Sequence, residues 1–353
     1  MTISDERSRL AVIRDLFGAQ SSAATDMHLV IGVQGQDDCA VYDLPGNLSL
    51  VIGSDFVRGT GFALFQEGLL SYFDIGYYLV VANLSDIAAM GATPTGLTTV
   101  IRYPDFLSDA DFRQLVLGIK EAAALYQTPI VGGDIGGYSE MVLAATAFGI
   151  TERGKYLSRQ GTRVGDFLCT TGTLGLPSTA LAYFTKAKKQ GFLLSAEEEQ
   201  LLLNSWRRPV AHISSGIALA QSGFVHACQD VSDGAKATIE QLAQASSLSF
   251  EVFEAQLPLS PITYKVAEAL RADPISLAFS ASVDFQLMFT VNQESLDLLR
   301  ALEPLAGVAL LGQAIPVSEP SRLIRNSGQP SPIPGTAWNQ QRKNVVDVIL
   351  EGY

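Results

Sequence analysis

Apolar residues recur in two signatures along the chain: short near-continuous runs, and longer stretches bounded by helix start and stop residues. The pattern predicts a mixture of strands and helices. Residues 5–17 read as a short amphipathic helix, and the polar, glycine-containing stretch 21–35 as a loop. Leu48–Ser54 is almost entirely apolar and ends at Asp55, the signature of a buried strand. Residues 74–90 read as a helix, because Asp74 suits the positive end of a helix dipole and Gly91 marks a stop. A strand is predicted over 96–102 and a helix over 109–126, capped by Ser108 or Asp109. A short strand over 129–131 runs into Gly132-Gly133-Asp134, and a longer one covers 141–150.

The polar, glycine-bearing stretch after residue 150 suggests a boundary near 150–165, dividing the chain into 1–155 and 156–353. Beyond it the pattern gives a strand at 166–171 and a turn at 172–175. Helices follow near 178–190, 196–204, 209–222 and 234–246. Strands are expected at 249–254, 284–291 and 306–311, with a helix at 293–303. Five prolines within 316–340 (Pro316, Pro320, Pro330, Pro332 and Pro334) predict an irregular tail. The mixture fits an α/β or α+β class.

With 353 residues, 47% of them hydrophobic, the chain can build a substantial core. Acidic residues outnumber basic ones 36 to 24, giving a formal charge of −12, which argues against nucleic acid or an anionic membrane as partner. Cys39, Cys169 and Cys228 lie far apart with no C-x-x-C spacing, so they read as buried small residues and not as a zinc site or disulfide framework. The N-terminus lacks an apolar segment after a basic start, and apolar runs such as Leu79–Ala82 are far short of a membrane span, so a cytoplasmic setting is expected.

Eight aspartates change this picture. Asp37, Asp38, Asp55, Asp74, Asp86, Asp134, Asp230 and Asp233 stand where apolar runs break into glycine-rich or short polar stretches. Carboxylates facing one cleft repel unless a cation lies between them, and Mg²⁺ is commonly held by a few carboxylates plus substrate phosphates. The set points to a metal–polyphosphate protein. Some members have simpler explanations. Asp74 can serve as an N-terminal helix acid, and one of Asp230 and Asp233 as a cap. Asp86 lies well inside its helix, where it can be a ligand or a partner of Asn83 or Ser85. Arg159 and Arg163 can bind phosphate or be solvated. His28, His212 and His226 are isolated and read as structural, and Trp206 as core.

The ordered pieces D-D-C-A-V (37–41), G-S-D (53–55), A-N-L-S-D-I-A-A-M-G-A-T-P (82–94), V-G-G-D (131–134), L-S-R-Q-G-T-R-V-G-D (157–166), T-G-T-L-G (171–175), R-P (208–209), D-V-S-D-G (230–234) and V-D-F-Q-L-M-F-T-V (283–291) resemble the thiamine-monophosphate kinase family. That family lies in the superfamily that includes aminoimidazole ribonucleotide (AIR) synthase. The resemblance implies two AIR synthase-like domains, an N-terminal α/β one and a C-terminal α+β one. It also implies a first sheet that pairs into a barrel across a homodimer, and ATP bound with Mg²⁺ without a Walker loop. By the same resemblance Asp37, Asp55, Asp74, Asp134, Asp230 and Asp233 are metal-binding acids, with Asp38 beside Asp37. Asp37, Asp134 and Asp233 would carry the chemistry, and Ser54, Gly132, Gly133, Arg159 and Ser232 would contact nucleotide. Trp338 is a candidate for stacking on a ring.

Four departures stand out. The kinase pattern V-x-G-x-H-F is V-R-G-T-G-F here (57–62), G-G-D-T-T-R-G is G-G-D-I-G-G-Y (132–138), and G-G-E-D-Y-E-L is A-S-V-D-F-Q-L (281–287). The glycine before D-D is Gln36. The expected function is therefore an ATP- and Mg²⁺-dependent phosphotransferase with a small-molecule acceptor other than thiamine monophosphate. The alternatives are an AIR synthase-like enzyme that activates an amide or carbonyl oxygen, and a nucleotide-binding partner with weakened turnover.

Overall fold

The structure, a computed structural model, describes residues 6–17 and 26–336. Helix α1 (Glu6–Phe17) precedes strands β1 (His28–Ile31), β2 (Ala40–Asp43) and β3 (Leu48–Val57). One turn of helix, α2 (Ala63–Gln66), leads into α3 (Tyr72–Ala89), followed by β4 (Thr93–Tyr103), α4 (Asp109–Leu125), β5 (Ile130–Gly137) and β6 (Val142–Glu152). These strands form one sheet in the order β1-β2-β3-β6-β4-β5. It is antiparallel except where α4 carries the chain from β4 to its parallel neighbour β5.

The second half adds β7 (Phe167–Thr170), α5 (Leu176–Ala182), α6 (Ala196–Arg207), α7 (Ile213–Ser222), β8 (Val225–Asp230), α8 (Ala235–Ser246) and β9 (Ser249–Phe253). Then come α9 (Pro261–Leu270), α10 (Pro274–Phe279), β10 (Leu287–Val291), α11 (Leu296–Arg300), β11 (Ala309–Ile315), β12 (Arg322–Ile324) and β13 (Pro330–Pro332). Its sheet runs β13-β12-β9-β11-β7-β10-β8. No strand of one sheet enters the other, and the sequence passes between them from 152 to 167. Neither sheet closes into a barrel within the described chain. Among the described residues no helix is long and apolar enough to cross a membrane.

The departures from the sequence pattern are local. β1 lies inside the stretch expected as loop, and β2 was too short to register. Helices α9 and α10 begin with Pro261 and Pro274, which look like breakers but occupy the first helical turn after the caps Ser260 and Asp273. The expected helix 178–190 ends at Ala182 and widens into a π turn over Tyr183–Ala187. The proline-rich tail holds the β12–β13 pair, and β13 tolerates Pro330 and Pro332 because it is an edge strand.

Helix α3 is the central element. Ser71 caps it, and Asp74 completes a reciprocal capping box. All of its residues are buried except Tyr72, Phe73 and Asp86. It packs on β3 and β6 on one side, and on α4, α6, α7 and β8 on the other. One hydrophobic cluster runs through it, from Val51 and Leu97 of the first sheet to Leu181, Trp206 and Phe285. The α3–α4 contact is close because two glycines face each other's backbone: a methyl group on Gly76 would strike the Leu115 carbonyl, and one on Gly118 the Phe73 carbonyl.

That contact gives a direct test. Gly118→Ala should lower unfolding free energy by about 2–3 kcal/mol, at the upper end of the cost of overpacking, because backbone on a neighbouring helix must move. Urea denaturation measures it, and an unchanged midpoint would show that the two helices separate without penalty.

Candidate functional site

Five segments converge where the last turns of α3 face β3. They are the Asp37-Asp38 turn between β1 and β2, Asp55 near the end of β3, Asn83 to Asp86 of α3, the Ser158-Arg159 loop, and the turn after β8 that carries Asp230 to Asp233. Carboxylate oxygens of Asp38, Asp86 and Asp230 all lie within 4.8 Å of one another. The Arg159 guanidinium binds Asp38 Oδ1 through Nε at 3.2 Å and also through Nη2, and its Nη1 donates to the Gln36 carbonyl at 3.1 Å. Asp38 Oδ2 is buried without a hydrogen-bond partner.

Neighbouring hydroxyls and amides fix the remaining acids. Ser158 Oγ donates to Asp37 Oδ2 at 2.7 Å, and the Arg159 backbone N–H donates to the same oxygen at 3.1 Å. Ser85 Oγ donates to Asp230 Oδ2 at 2.5 Å, and Ser232 Oγ to Asp230 Oδ1 at 2.9 Å. Asn83 Oδ1 accepts from the Asp55 N–H at 3.0 Å, tying β3 to α3. Gln36 adopts φ 48°, the left-handed region that favours glycine, in the position where the kinase pattern has glycine.

Burial dominates the electrostatics. It pushes the Asp37 carboxyl up to about 6, helped by the charge of Asp38, and the Asp230 carboxyl up to about 7, again with Asp38 adding. Asp86 is raised well above the ordinary carboxylate range by burial and then by Asp230 and Asp38. Asp38 is raised by burial, against the opposing pull of Arg159. Asp55 and Asp233 reach solvent at the rim, yet the surrounding protein raises both. A group of acids that resists ionising in the protein alone is relieved by a bound cation.

An aromatic wall flanks the acids. Tyr78 of α3 contacts Phe62 at 5.0 Å and Phe285 at 5.4 Å between ring centroids, and stacks on Trp206 at 6.1 Å. Asp55, Asp230 and Asp233 all raise the Tyr78 hydroxyl further above the level set by burial. Trp206 is core, as expected, with its indole N–H donating to the Pro177 carbonyl at 2.9 Å. His226 is bound to Asp166 at 2.7 Å, and the three cysteines are free and buried.

The structure brings together Asp37, Asp38, Asp55, Asp230, Asp233, Ser232 and Arg159. It separates five other expected positions from them. Asp74 lies twelve residues before Asp86 on the same helix, roughly 18 Å away at 1.5 Å per residue. There it caps α3 and pairs with Arg208 at 2.7 Å. Asp134 is exposed and ion-paired with Arg102. Strand pleating explains its displacement. Asp55, Ala145, Thr99 and Gly133 form one row facing the helices, whereas Phe56, Ala144, Val100 and Asp134 form the next row, on the open face. Ser54 also points to that open face, where it bonds Thr146 at 2.7 Å. Gly132 and Gly133 lie on β5, three strands from Asp55, and Gly133 is required by packing, since a methyl there would strike the Thr99 carbonyl. Trp338 lies outside the described residues.

Asp86 joins the cluster as a full member, and Ser85 and Ser158 join it as orienting donors. Asn83 and Asp86, three residues apart, share a face of α3. The site supplies oxygen donors only, several of them carboxylates, and one orphaned carboxylate oxygen. That donor set fits a hard divalent cation such as Mg²⁺ and not a thiophilic metal.

Comparison with known proteins bears on the family and the fold. Residues 36–151 match the family described as AIR synthase related protein, N-terminal domain. The thiamine-monophosphate kinase of Methanocaldococcus jannaschii is 30% identical over 263 residues, covering 73% of this chain and 79% of the relative. Among solved structures, AaThiL complexed with AMPPCP and TMP superposes with a TM-score of 0.76 at 23% identity, covering 95% of this chain and 97% of that one. The Stenotrophomonas maltophilia thiamine-monophosphate kinase gives a TM-score of 0.68 at 26% identity, covering 92% and 96%. On the sequence identity shared across most of both chains, this protein belongs to the thiamine-monophosphate kinase family.

Proposed function

We propose that this protein is an ATP- and Mg²⁺-dependent phosphotransferase whose acceptor is a small metabolite other than thiamine monophosphate. The observation that carries the reading is the close Asp38–Asp86–Asp230 group, with an unpartnered buried Asp38 oxygen and a guanidinium locked against it. Relatives named as kinases, and a fold neighbour described with AMPPCP and TMP, support the donor half of the reaction.

Asp38, Asp86 and Asp230 would hold the metal, with Asp37, Asp55 and Asp233 around them. Bound Mg²⁺ supplies charge neutralisation for the phosphates of ATP. The chain's own groups supply position. Ser158 and the Arg159 amide orient Asp37, Ser85 and Ser232 orient Asp230, and Arg159 balances Asp38. Phosphoryl transfer depends chiefly on such positioning and on electrostatics.

The altered loops support a different acceptor. Gly61 leaves open space, Val283 is packed against the core, and Gln286 is tied to Thr171 at 2.8 Å. The open face of the first sheet supports a homodimer, with the two sheets meeting as a barrel. Phe56 is 56% exposed there and Val100 is 39% exposed, alongside the half-buried Leu50, Ile52, Phe148 and Ile150.

Three outcomes follow. ATP with Mg²⁺ should raise the melting temperature, and Asp55→Asn should remove most of the metal-dependent part. The pH dependence has a definite sign. Carboxyls raised above their unfolded value of 3.8 destabilise the metal-free fold as pH rises through about 6 and about 7. Metal-dependent stabilisation should therefore grow over that same window, and a flat response to nucleotide and metal sinks the reading.

Thiamine diphosphate formation should proceed with kcat/KM more than about tenfold below that of an authentic thiamine-monophosphate kinase assayed in parallel. Each lost hydrogen-bonding partner costs about 1–3 kcal/mol, and about 1.4 kcal/mol is a factor of ten. Turnover within tenfold would show that the acceptor is thiamine monophosphate after all.

Light scattering at micromolar concentration should give twice the chain mass. A monomer mass would remove the barrel.

A further inference from the structure

The grip on Asp37 and Asp38 comes from the connector between the two sheets, and that connector has a seat of its own. Four consecutive amides in it are given to side-chain oxygens. The Arg159 N–H donates to Asp37 Oδ2 at 3.1 Å, and the Gln160 N–H to Ser158 Oγ at 3.1 Å. The next two, from Gly161 and Thr162, both donate to Ser246 Oγ, at 3.2 and 3.1 Å. Three side chains therefore set the path of residues 159–162. Asp37 belongs to the first half and Ser158 to the connector itself. Ser246, the last residue of α8, ties the path to the second half.

The segment lies along β8, the last strand of its sheet. The Cys228 N–H donates to the Ser158 carbonyl at 2.8 Å. Gly161 passes so close that a methyl group on it would stand 2.3 Å from the His226 carbonyl oxygen, and it holds φ 123°. That approach requires glycine, and a glycine does little to hold its own conformation. The Ser246 hydroxyl holds it instead, together with the amide of Thr162. Thr162 is buried, so an amide freed there is costly to leave unpaired. From this seat the chain reaches across to the first half, where Ser158 Oγ donates to Asp37 Oδ2 at 2.7 Å and Arg159 Nε to Asp38 Oδ1 at 3.2 Å. Helix α8 joins the two ends of the arrangement. It begins just after Asp233 and Gly234 and closes 12 residues later at Ser246, roughly 18 Å along at 1.5 Å per residue. The helix that starts at one carboxylate turn thus ends at the loop that grips the other.

We propose that Ser246 is a positioning residue for the acid site: by accepting two adjacent amides it sets where Ser158 and Arg159 meet Asp37 and Asp38, and through them the site's affinity for metal and nucleotide. This rests on the phosphotransferase reading above. Ser246 acts through the connector, from the end of α8 remote from Asp233. Its working feature is one oxygen with two acceptor positions, which threonine also offers and alanine does not.

The test is calorimetric titration of the full chain with AMPPCP in the presence of Mg²⁺. Ser246→Ala should weaken binding about fivefold, the scale of one or two lost hydrogen bonds, and Ser246→Thr should bind like wild type. Coupling separates positioning from a general loosening of the fold. Arg159→Gln removes the main contact that Ser246 positions, so adding Ser246→Ala to it should cost less than about twofold more. If wild type binds no AMPPCP, the phosphotransferase reading falls and this assignment falls with it. If wild type binds and Ser246→Ala binds equally well, the assignment alone is overturned. Equal losses in the wild-type and Arg159→Gln chains overturn it too, as does a Ser246→Thr protein that binds as weakly as Ser246→Ala. Should Ser246→Ala melt early, Ser246→Cys decides, because it keeps the volume and offers the amides only a weak sulfur acceptor. Wild-type affinity there overturns the assignment.

Discussion

Asp38, Asp86 and Asp230 crowd one another inside the protein, and Arg159 is the guanidinium set against them. Burying carboxylates beside each other is unfavourable unless charge or hydrogen bonds compensate. The neighbourhood is organised around that difficulty. Serine hydroxyls and backbone amides are directed at the acids, and Asn83 ties β3 to the helix that carries Asp86. Helix α3 can hold the acids only because it is clamped on both sides, through Gly76 and Gly118 against α4 and through Gly216 of α7 against the Ala88 carbonyl. Close packing far from the acids thus sets the spacing among them.

The first sheet separates two jobs by pleating alone. One face meets α3 and contributes Asp55 to the acids, while the other presents Phe56 and Val100 outward. A shift of one residue in the register of β3 would exchange these faces and put a carboxylate where the apolar residues now lie. The β3–β6 pairing, continuous from Leu48 to Val57, makes such a slip expensive.

Much of this was legible in the sequence, for identifiable reasons. α3, α4 and the long strands announced themselves through apolar runs and through end signals such as Asp74, Gly91 and Ser108. The acids in turns, Asp37, Asp38, Asp230 and Asp233, were legible because a carboxylate between an apolar run and a glycine has little structural reason to be there. Asp74 and Asp134 looked the same by that criterion. Their partners, Arg208 and Arg102, come from elsewhere in the fold, and no local pattern reveals a neutralising charge. Asp86 was ambiguous for the opposite reason. Its helix is buried almost throughout, so periodicity there carried no information about which face met the site.

The hydrogen bonds that join the acids span long stretches of chain: 121 residues separate Ser158 from Asp37, and 145 separate Ser85 from Asp230. Contacts of that span form late, because the entropy of closing such large loops must be met before they contribute. A chain emerging from the ribosome completes β3 and α3 long before β8 exists. Until residue 230 has been synthesised, Asp38 and Asp86 lack the third carboxylate of their group. The nascent N-terminal half therefore passes through translation with the centre unassembled, and the acids come together only when the two halves dock.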